Sequence, residues 1–373
     1  MTSLPPRPAF CEINLSAIQH NLRRMSEIVG PHTKVMAIVK ANAYGHGMIE
    51  VARAAVEAEA TWLGVATAGE GLTLRRAGIN ARILVLGYTP AHLAEEPIAR
   101  GLSLTVYDFD LAKAYAAIAR AQGRTALVHS KVDTGMGRLG MTADDAPLFT
   151  RALQGITGLA VEGLFTHFST ADAADPSYTV GQIEKFDEVV EALRLARACP
   201  PILHAANSAA ALRLSSARYD LVRVGIAMYG MHPSDVVPCP GDFRPALAWK
   251  ACIAQVKALP AGHPVGYGNE YVTRGPERIA TVPLGYGDGL RRGAPNEALV
   301  GGRRVPVVGR VCMDQAMLDV TEAPNATMGD EVVFIGRQGD EVITAEDVAR
   351  RWGTINYDVT TGIGTRVPRL FSA

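Results

Sequence analysis

The chain carries no excess charge of either sign: Lys+Arg and Asp+Glu each number 37 among 373 residues, and nine His do not tip the balance at neutral pH. Nucleic-acid binding rests on neutralising phosphates and leaves a basic footprint, so the expected partner is small and is not a polyanion. Cysteine is sparse. Cys11, Cys199, Cys239, Cys252 and Cys312 are odd in number and lack any C-x-x-C spacing. That excludes a disulfide framework or a zinc ribbon and reads as reduced thiols in a reducing compartment. No stretch approaches the roughly 20 apolar residues of a membrane span. The start of the chain, Met1 to Pro8, has no apolar h-region. The expectation is a cytoplasmic protein with no membrane or nucleic-acid partner.

The composition, 48% apolar and 20% charged, is that of an ordinary globule. A chain of 373 residues exceeds what one core usually encloses, so two domains are expected. Between Lys34 and Tyr229 eight short apolar runs alternate with helical patterns: Val35-Val39, Trp62-Ala66, Ile83-Leu86, Leu102-Val106, Ala126-Lys131, Leu159-Phe165, Ile202-His204 and Leu221-Val224. One helical pattern runs from Tyr178 to Ala198, with Ile183, Phe186, Val189, Val190, Leu193 and Leu195 apolar. Eight βα units predict an α/β fold, a (β/α)8 TIM barrel, spanning residues 12–236. No G-x-G-x-x-G follows the first strand, although an open doubly wound sheet stays as the alternative. After a proline-rich stretch from His232 to Gly241 the runs become β-like: Ala251-Val256, Ile279-Leu284, Arg304-Val308, Met317-Val320 and Glu331-Ile335. Residues 241–373 are expected to form a mainly β C-terminal domain, with residues 1–11 pairing with it. Internal repeats and low-complexity tracts are absent.

A TIM barrel places its chemistry at the carboxyl ends of the strands. The unusual residues fall there. Lys40 ends the first apolar run before a Gly-bearing turn, where an amine among apolar neighbours loses proton affinity and can attack an aldehyde. The alternative is a solvated strand end. Lys131 closes the fifth run, and Asp133 and Arg138 follow it in a Gly-rich loop. Arg138 offers a planar fork for a carboxylate. Lys131 raises a like-charge problem, solved by solvation, by pairing with Asp133 or by chemical modification. His167 closes the sixth run. Ser208 follows the seventh, and Arg223, Gly225 and Ile226 lie at the eighth. Ser208 and Gly225-Ile226 are candidates for a phosphate cup, or else a helix cap and a turn glycine. His167 and His204 also fit hydrogen-bonded core histidines. No His, Asp or Glu spacing suggests a metal site. In the second domain Gly266-Tyr267-Gly268 and Gly285-Tyr286-Gly287 each bracket a phenol with glycines, as does a ligand loop or a hairpin tip. Gly309-Arg310-Val311-Cys312-Met313-Asp314 forms a third turn of this character.

These residues sit in an ordered series: VKANAYGHG, HSKVDTGMGRLG, FTHFSTAD, HAANSAA, VRVGIAMYG, VGYGNEYVT, LGYGDG, GRVCMDQ and INYDVTTGIGTRVPR. The series resembles the pyridoxal-phosphate-dependent alanine racemases over nearly the whole chain. The resemblance implies a homodimer with shared active sites, in which the β domain of one subunit closes over the barrel of the other. It implies pyridoxal 5'-phosphate held covalently by Lys40. Its phosphate would be held by Tyr44, Ser208, Gly225, Ile226 and Tyr357. Arg223 would face the pyridine nitrogen with His167 behind it.

The implied reaction interconverts L- and D-alanine, for bacterial cell-wall synthesis. A proton must leave one face of Cα and return to the other, which needs two acid–base groups. The resemblance assigns them to Lys40, for the D-isomer, and to Tyr267 of the partner subunit, for the L-isomer. Arg138 and the Met313 N–H would receive the substrate carboxylate, Tyr286 would narrow the entrance, and Lys131 would be carboxylated. Val224 stands where relatives often have proline. The alternatives are a racemase acting on both alanine and serine, a barrel-type decarboxylase, and a non-catalytic cofactor-binding barrel. Arg223 speaks against the decarboxylase, which generally places an acid there. The second domain with Tyr267 speaks against the non-catalytic barrel.

Overall fold

A computed structural model describes residues 7–373. The chain divides into two compact units. One comprises Ala17–Ala43 and Met48–Arg244; of the described residues the other comprises 7–16, Tyr44–Gly47 and Pro245–Ala373.

The first unit is a nearly closed barrel of eight parallel strands: Lys34–Ile38, Trp62–Val65, Arg82–Val85, Ser103–Val106, Ala126–Asp133, Leu159–Phe165, Ile202–His204 and Leu221–Val224. The first strand pairs in parallel with the eighth, Lys34 opposite Leu221 and Ala37 opposite Val224. Between the seventh and eighth strands a side chain helps to close the wall. Asp220 N–H donates to Leu203 O at 3.1 Å, and Leu203 N–H donates to the Asp220 carboxylate at 2.8 Å. Arg223 N–H reaches Ala206 O at 2.9 Å farther along.

Buried-strand composition explains the wall. Val35, Met36, Ala37, Ile38, Leu63, Val65, Leu84, Val85, Leu104 and Val106 are all buried, as parallel strands covered on both faces require. The helix between the sixth and seventh strands spans Ser177–Leu195, and it buries Ile183, Phe186, Val189, Val190 and Leu193. Leu195 departs from the expected apolar face. It is the last helical residue and points into solvent.

The barrel interior is partly polar and aromatic. His129 and Lys131, two apart on one strand, share a face, with Trp62 edge-on to His129 at 5.1 Å. Phe165 stacks on His204 at 4.7 Å with planes 3° apart. Gly163 makes room for this layer, because a Cβ there would lie 2.3 Å from His129 Nδ1.

The second unit is a ten-stranded mainly β sheet with two short helices, Ala345–Trp352 and Asn356–Thr361. The expected strand Ala251-Val256 is two strands, Leu247–Cys252 and Gln255–Leu259, separated by Ile253-Ala254. Of residues 1–11, expected to pair with this domain, 1–6 lie outside the described residues. Strand Ala9–Asn14 pairs antiparallel with Leu247–Cys252 and parallel with Arg369–Ser372. Among the described residues no helix is long and apolar enough to cross a membrane.

Because Gly163 adjoins a fixed ring, Gly163→Ala should destabilise the protein by roughly 1–3 kcal/mol through overpacking. Urea unfolding measures this, and an unchanged midpoint would contradict the account.

Candidate active site

The first strand ends at Ile38, and Lys40 stands two residues beyond it. The expected Gly-bearing turn is different in kind. Ala41, Asn42 and Ala43 all lie in the left-handed region, with φ of 51°, 53° and 55°, and Tyr44 follows at 52°. Left-handed helical backbone costs an L-residue about 1–2 kcal/mol, so a run of it needs outside support. Ala43 N–H donates to Val39 O at 2.9 Å. Asn42 Oδ1 accepts from Met48 N–H at 2.9 Å. The Glu70 carboxylate accepts from Ala41 N–H at 2.7 Å.

Burial lowers the proton affinity of Lys40, Arg138 and Arg223 lower it further, and Glu70 opposes them. The solvated-end reading is therefore not what the structure shows. Lys131 is only 5% exposed. Burial, then Arg138 and Arg223, pull it down to about 8, against Asp133.

Asp133 does not pair with Lys131. Its Oδ1 accepts from the N–H groups of Gly135, Met136 and Gly137 at 2.9, 2.8 and 3.1 Å, and Oδ2 from Arg138 N–H at 3.1 Å. One carboxylate thus folds the loop that carries Arg138. Solvation is likewise denied to a residue this buried, and its Nζ lies 5.2 Å from the centre of the Phe165 ring.

Arg223 is 4% exposed and has no carboxylate partner among the described residues. Neutral acceptors hold its charge: Nη1 donates to His204 Nδ1 at 3.0 Å, and Nη2 to Thr166 O, His167 Nδ1 and Ala205 O at 2.9, 2.9 and 2.7 Å. A guanidinium only donates. His204 and His167 must therefore accept through Nδ1 and carry their protons on Nε2, and the His204 Nε2–H then donates to His129 Nδ1 at 2.9 Å. Burial and Arg223 hold His167 and His204 well below the usual histidine range, so both rings are neutral. Nε of Arg223 hydrogen-bonds to no described residue.

Ser208 was weighed as a helix cap, but the cap is Asn207, whose side chain accepts from Ala210 N–H at 3.0 Å. Ser208 Oγ is instead an acceptor for Gly225 N–H at 3.0 Å and Ala227 N–H at 3.4 Å. Its hydroxyl proton and the Ile226 N–H that opens the turn Ile226–Tyr229 stay available as donors.

These features fit pyridoxal phosphate. Among the described residues the side chains of Lys40, Lys131 and Arg138 make no hydrogen bond or ion pair. Asp133 and Glu70 have their oxygens engaged by backbone N–H groups. Such a surplus of unpaired donors calls for anions, and the unpaired Arg223 Nε–H suits a ring nitrogen that accepts. Among the described residues no group of three His, Cys, Asp or Glu could hold a metal.

In the second unit the three glycine-rich turns converge. Tyr267 tips the hairpin of Pro264–Val265 and Tyr271–Val272. Gly309, at φ 67°, meets this hairpin so closely that a Cβ would lie 2.5 Å from Val265 O. Tyr286 N–H and Gly287 N–H donate to Cys312 O and Met313 O at 3.0 and 2.9 Å. Segment Gly309–Asp314 therefore supports both tyrosine loops. Asp288 fastens the arrangement, accepting from Gly285 N–H at 2.9 Å and from Arg366 Nε at 2.6 Å. Tyr267, Tyr286 and Met313 are presented outward, 65%, 41% and 54% exposed. Tyr44 and Tyr357 meet with ring centroids 5.8 Å apart.

Two residues escaped the sequence reading. His129 ends the Arg223 chain, and strand alternation from Lys131 marks it. Glu70 was signalled by the capping box Thr67-x-x-Glu70.

The family model for the alanine racemase N-terminal domain matches residues 13–233, and that for the alanine racemase C-terminal domain matches 246–371. The chain is 46% identical to an alanine racemase of Symbiobacterium thermophilum over 98% of its length and 97% of the relative's. It is 44% identical to alanine racemase 2 of Caldanaerobacter subterraneus subsp. tengcongensis, over 98% and 95%. The solved alanine racemase of Bacillus anthracis with bound L-Ala-P superposes with a TM-score of 0.93 at 40% identity, covering 98% and 95% of the two chains.

The Asp133 loop gives a pH test. Burial acts to raise the Asp133 carboxyl, but its four backbone N–H donors outweigh this and hold it below the ordinary value. Asp133→Ala should cost about 1–2 kcal/mol at neutral pH, allowing for solvent screening. A depressed folded value means that this stabilisation is present above the ordinary aspartate range and is lost as pH falls through the lowered one. Urea unfolding of both proteins at a series of pH values reads the difference. A gap that does not shrink in acid would contradict the assignment.

Proposed function

The chain belongs to the alanine racemase family, and from that premise we propose that it interconverts L- and D-alanine by moving one proton between opposite faces of Cα. The family depends on pyridoxal phosphate. Bound in the barrel, the cofactor supplies an electron sink that acidifies the Cα proton of alanine. The observation that carries the reading is the half-buried Lys40 amine, depressed in proton affinity among unpaired cations.

Each residue has a definite task. Lys40 Nζ takes or returns the proton on one face. Tyr267 of the partner subunit does so on the other, Lys40 serving the D-isomer and the tyrosine the L-isomer. A phenol is a poor base at neutral pH, and the Arg223–His167 pair supplies the nearby positive charge it needs. Arg138 grips the substrate carboxylate with its planar fork, helped by the Met313 N–H, and Tyr286 narrows the entrance. Arg223 would face the ring nitrogen and offer it the Nε–H. A guanidinium has no lone pair to accept a proton and keeps a donor there instead. Ser208, Gly225, Ile226, Tyr44 and Tyr357 bind the phosphate.

Lys131, held near 8 in a buried position, is carboxylated. That inverts its charge and pairs it with Arg138. The barrel domain is taken as residues 12–236 and the β domain as 241–373, working as a homodimer with shared sites in the cytoplasm and supplying D-alanine for cell-wall synthesis. The outward tyrosines of the second unit support this arrangement. Decarboxylase and broad-specificity readings are not favoured, since the relatives named above are alanine racemases.

Subunit mixing tests the division of labour. Lys40→Ala and Tyr267→Ala proteins should each lose at least about a hundredfold in turnover, the lower bound for an acid–base group. Mixed under dissociating conditions and re-associated, they should recover up to about a quarter of wild-type activity, because half the dimers hold one intact site. No recovery would place both groups in one chain and overturn the shared-site reading.

A further inference from the structure

Glu70 sits in the first turn of helix Ala68–Arg76, which follows the second barrel strand. Its carboxylate joins two successive loops. Oε1 accepts from Ala41 N–H at 2.7 Å, in the residue directly after Lys40. Oε2 accepts from Ala66 N–H at 2.8 Å and Thr67 N–H at 3.2 Å. The last contact belongs to a capping box, completed by Glu70 N–H donating to Thr67 Oγ1 at 3.3 Å. A cap alone needs only the Thr67 exchange. The bond to Ala41 spans 29 residues and has no part in capping.

We propose that Glu70 is a positioning residue for the reactive amine, its carboxylate pinning the Ala41 N–H so that the backbone enters its left-handed turn directly after Lys40. This rests on the reading of Lys40 as the cofactor-bearing lysine. Two observations support it beyond the bond itself. The turn is built of alanine, asparagine and tyrosine rather than glycine, so its backbone needs an external tie. Glu70 is also the one carboxylate acting to raise the proton affinity of Lys40. The amine otherwise faces Arg138 and Arg223, with Lys131 and the His167 ring also within its electrostatic reach. Glu70 thus sets both where the amine leaves the barrel wall and how far its cationic neighbours depress it.

The test compares Glu70→Gln with Thr67→Ala in the full-length protein. Thr67→Ala removes the cap and leaves the tie to Ala41. Hydrogen exchange at the Ala41 amide should be slow in the wild type, accelerate about tenfold or more in Glu70→Gln, and stay within about twofold in Thr67→Ala. In protein freed of pyridoxal phosphate, so that the Lys40 amine is open, its labelling by an amine-selective arylating reagent at fixed neutral pH, read by peptide mapping, should quicken about three- to tenfold in Glu70→Gln, because loss of the carboxylate leaves more neutral amine.

Wild-type behaviour of both readouts in a folded Glu70→Gln protein, or equal effects in Thr67→Ala, would overturn the proposal. Should Glu70→Gln not fold, Glu70→Asp takes its place. Its shorter arm keeps the charge but loses Ala41, so fast Ala41 exchange supports the proposal and wild-type exchange overturns it. Cofactor found on a lysine other than Lys40 would sink the underlying reading while leaving the Ala41 result intact.

Discussion

Positive charge without anionic partners is the constraint on which the site depends. At the barrel mouth burial, and then the charges of Arg138 and Arg223, weaken the hold of Lys40 and Lys131 on their protons. In a protein with balanced charge overall, such a local surplus is costly unless something anionic completes it. The same surplus is what makes an amine nucleophilic near neutral pH.

The fold tolerates that surplus by surrounding charge with oriented neutral groups. Arg223 is the clearest instance, its buried guanidinium held by two carbonyl oxygens and two imidazoles. The direction of every bond follows from the fact that a guanidinium cannot accept. The order passes through His204 to His129, deep in the barrel, where Gly163 clears the space. The carboxylates nearest the mouth give their hydrogen bonds to backbone N–H groups and act on the lysines only through space. Asp133 folds the Arg138 loop, and Glu70 ties the turn after Lys40 to the next loop. Geometry is thereby fixed without neutralising the charge the chemistry uses.

Much of the barrel was legible because buried parallel strands leave short apolar runs. Seven of the eight expected strands overlap the observed ones within a residue at either end, and the fifth runs two residues farther, to Asp133. Placing chemistry at the strand ends followed from the fold class. What was not legible was backbone handedness and side-chain direction. Nothing in Ala41-Asn42-Ala43 announces a left-handed turn, since its support comes from Glu70 and Met48, outside the motif. Ser208 fitted a phosphate cup and a helix cap alike by residue type, whereas Asn207 beside it takes the cap. The convergence of both tyrosine loops on Gly309–Asp314 is a long-range packing result that glycine spacing only hinted at.

The site turns on Lys40, and not the more deeply buried Lys131, being the amine that bonds the cofactor. Borohydride reduction of the pyridoxal-phosphate-loaded protein, followed by peptide mapping, tests it most directly. A pyridoxyl group is expected on the peptide containing Lys40 and on no other lysine. Label at Lys131, or none on Lys40, would contradict it.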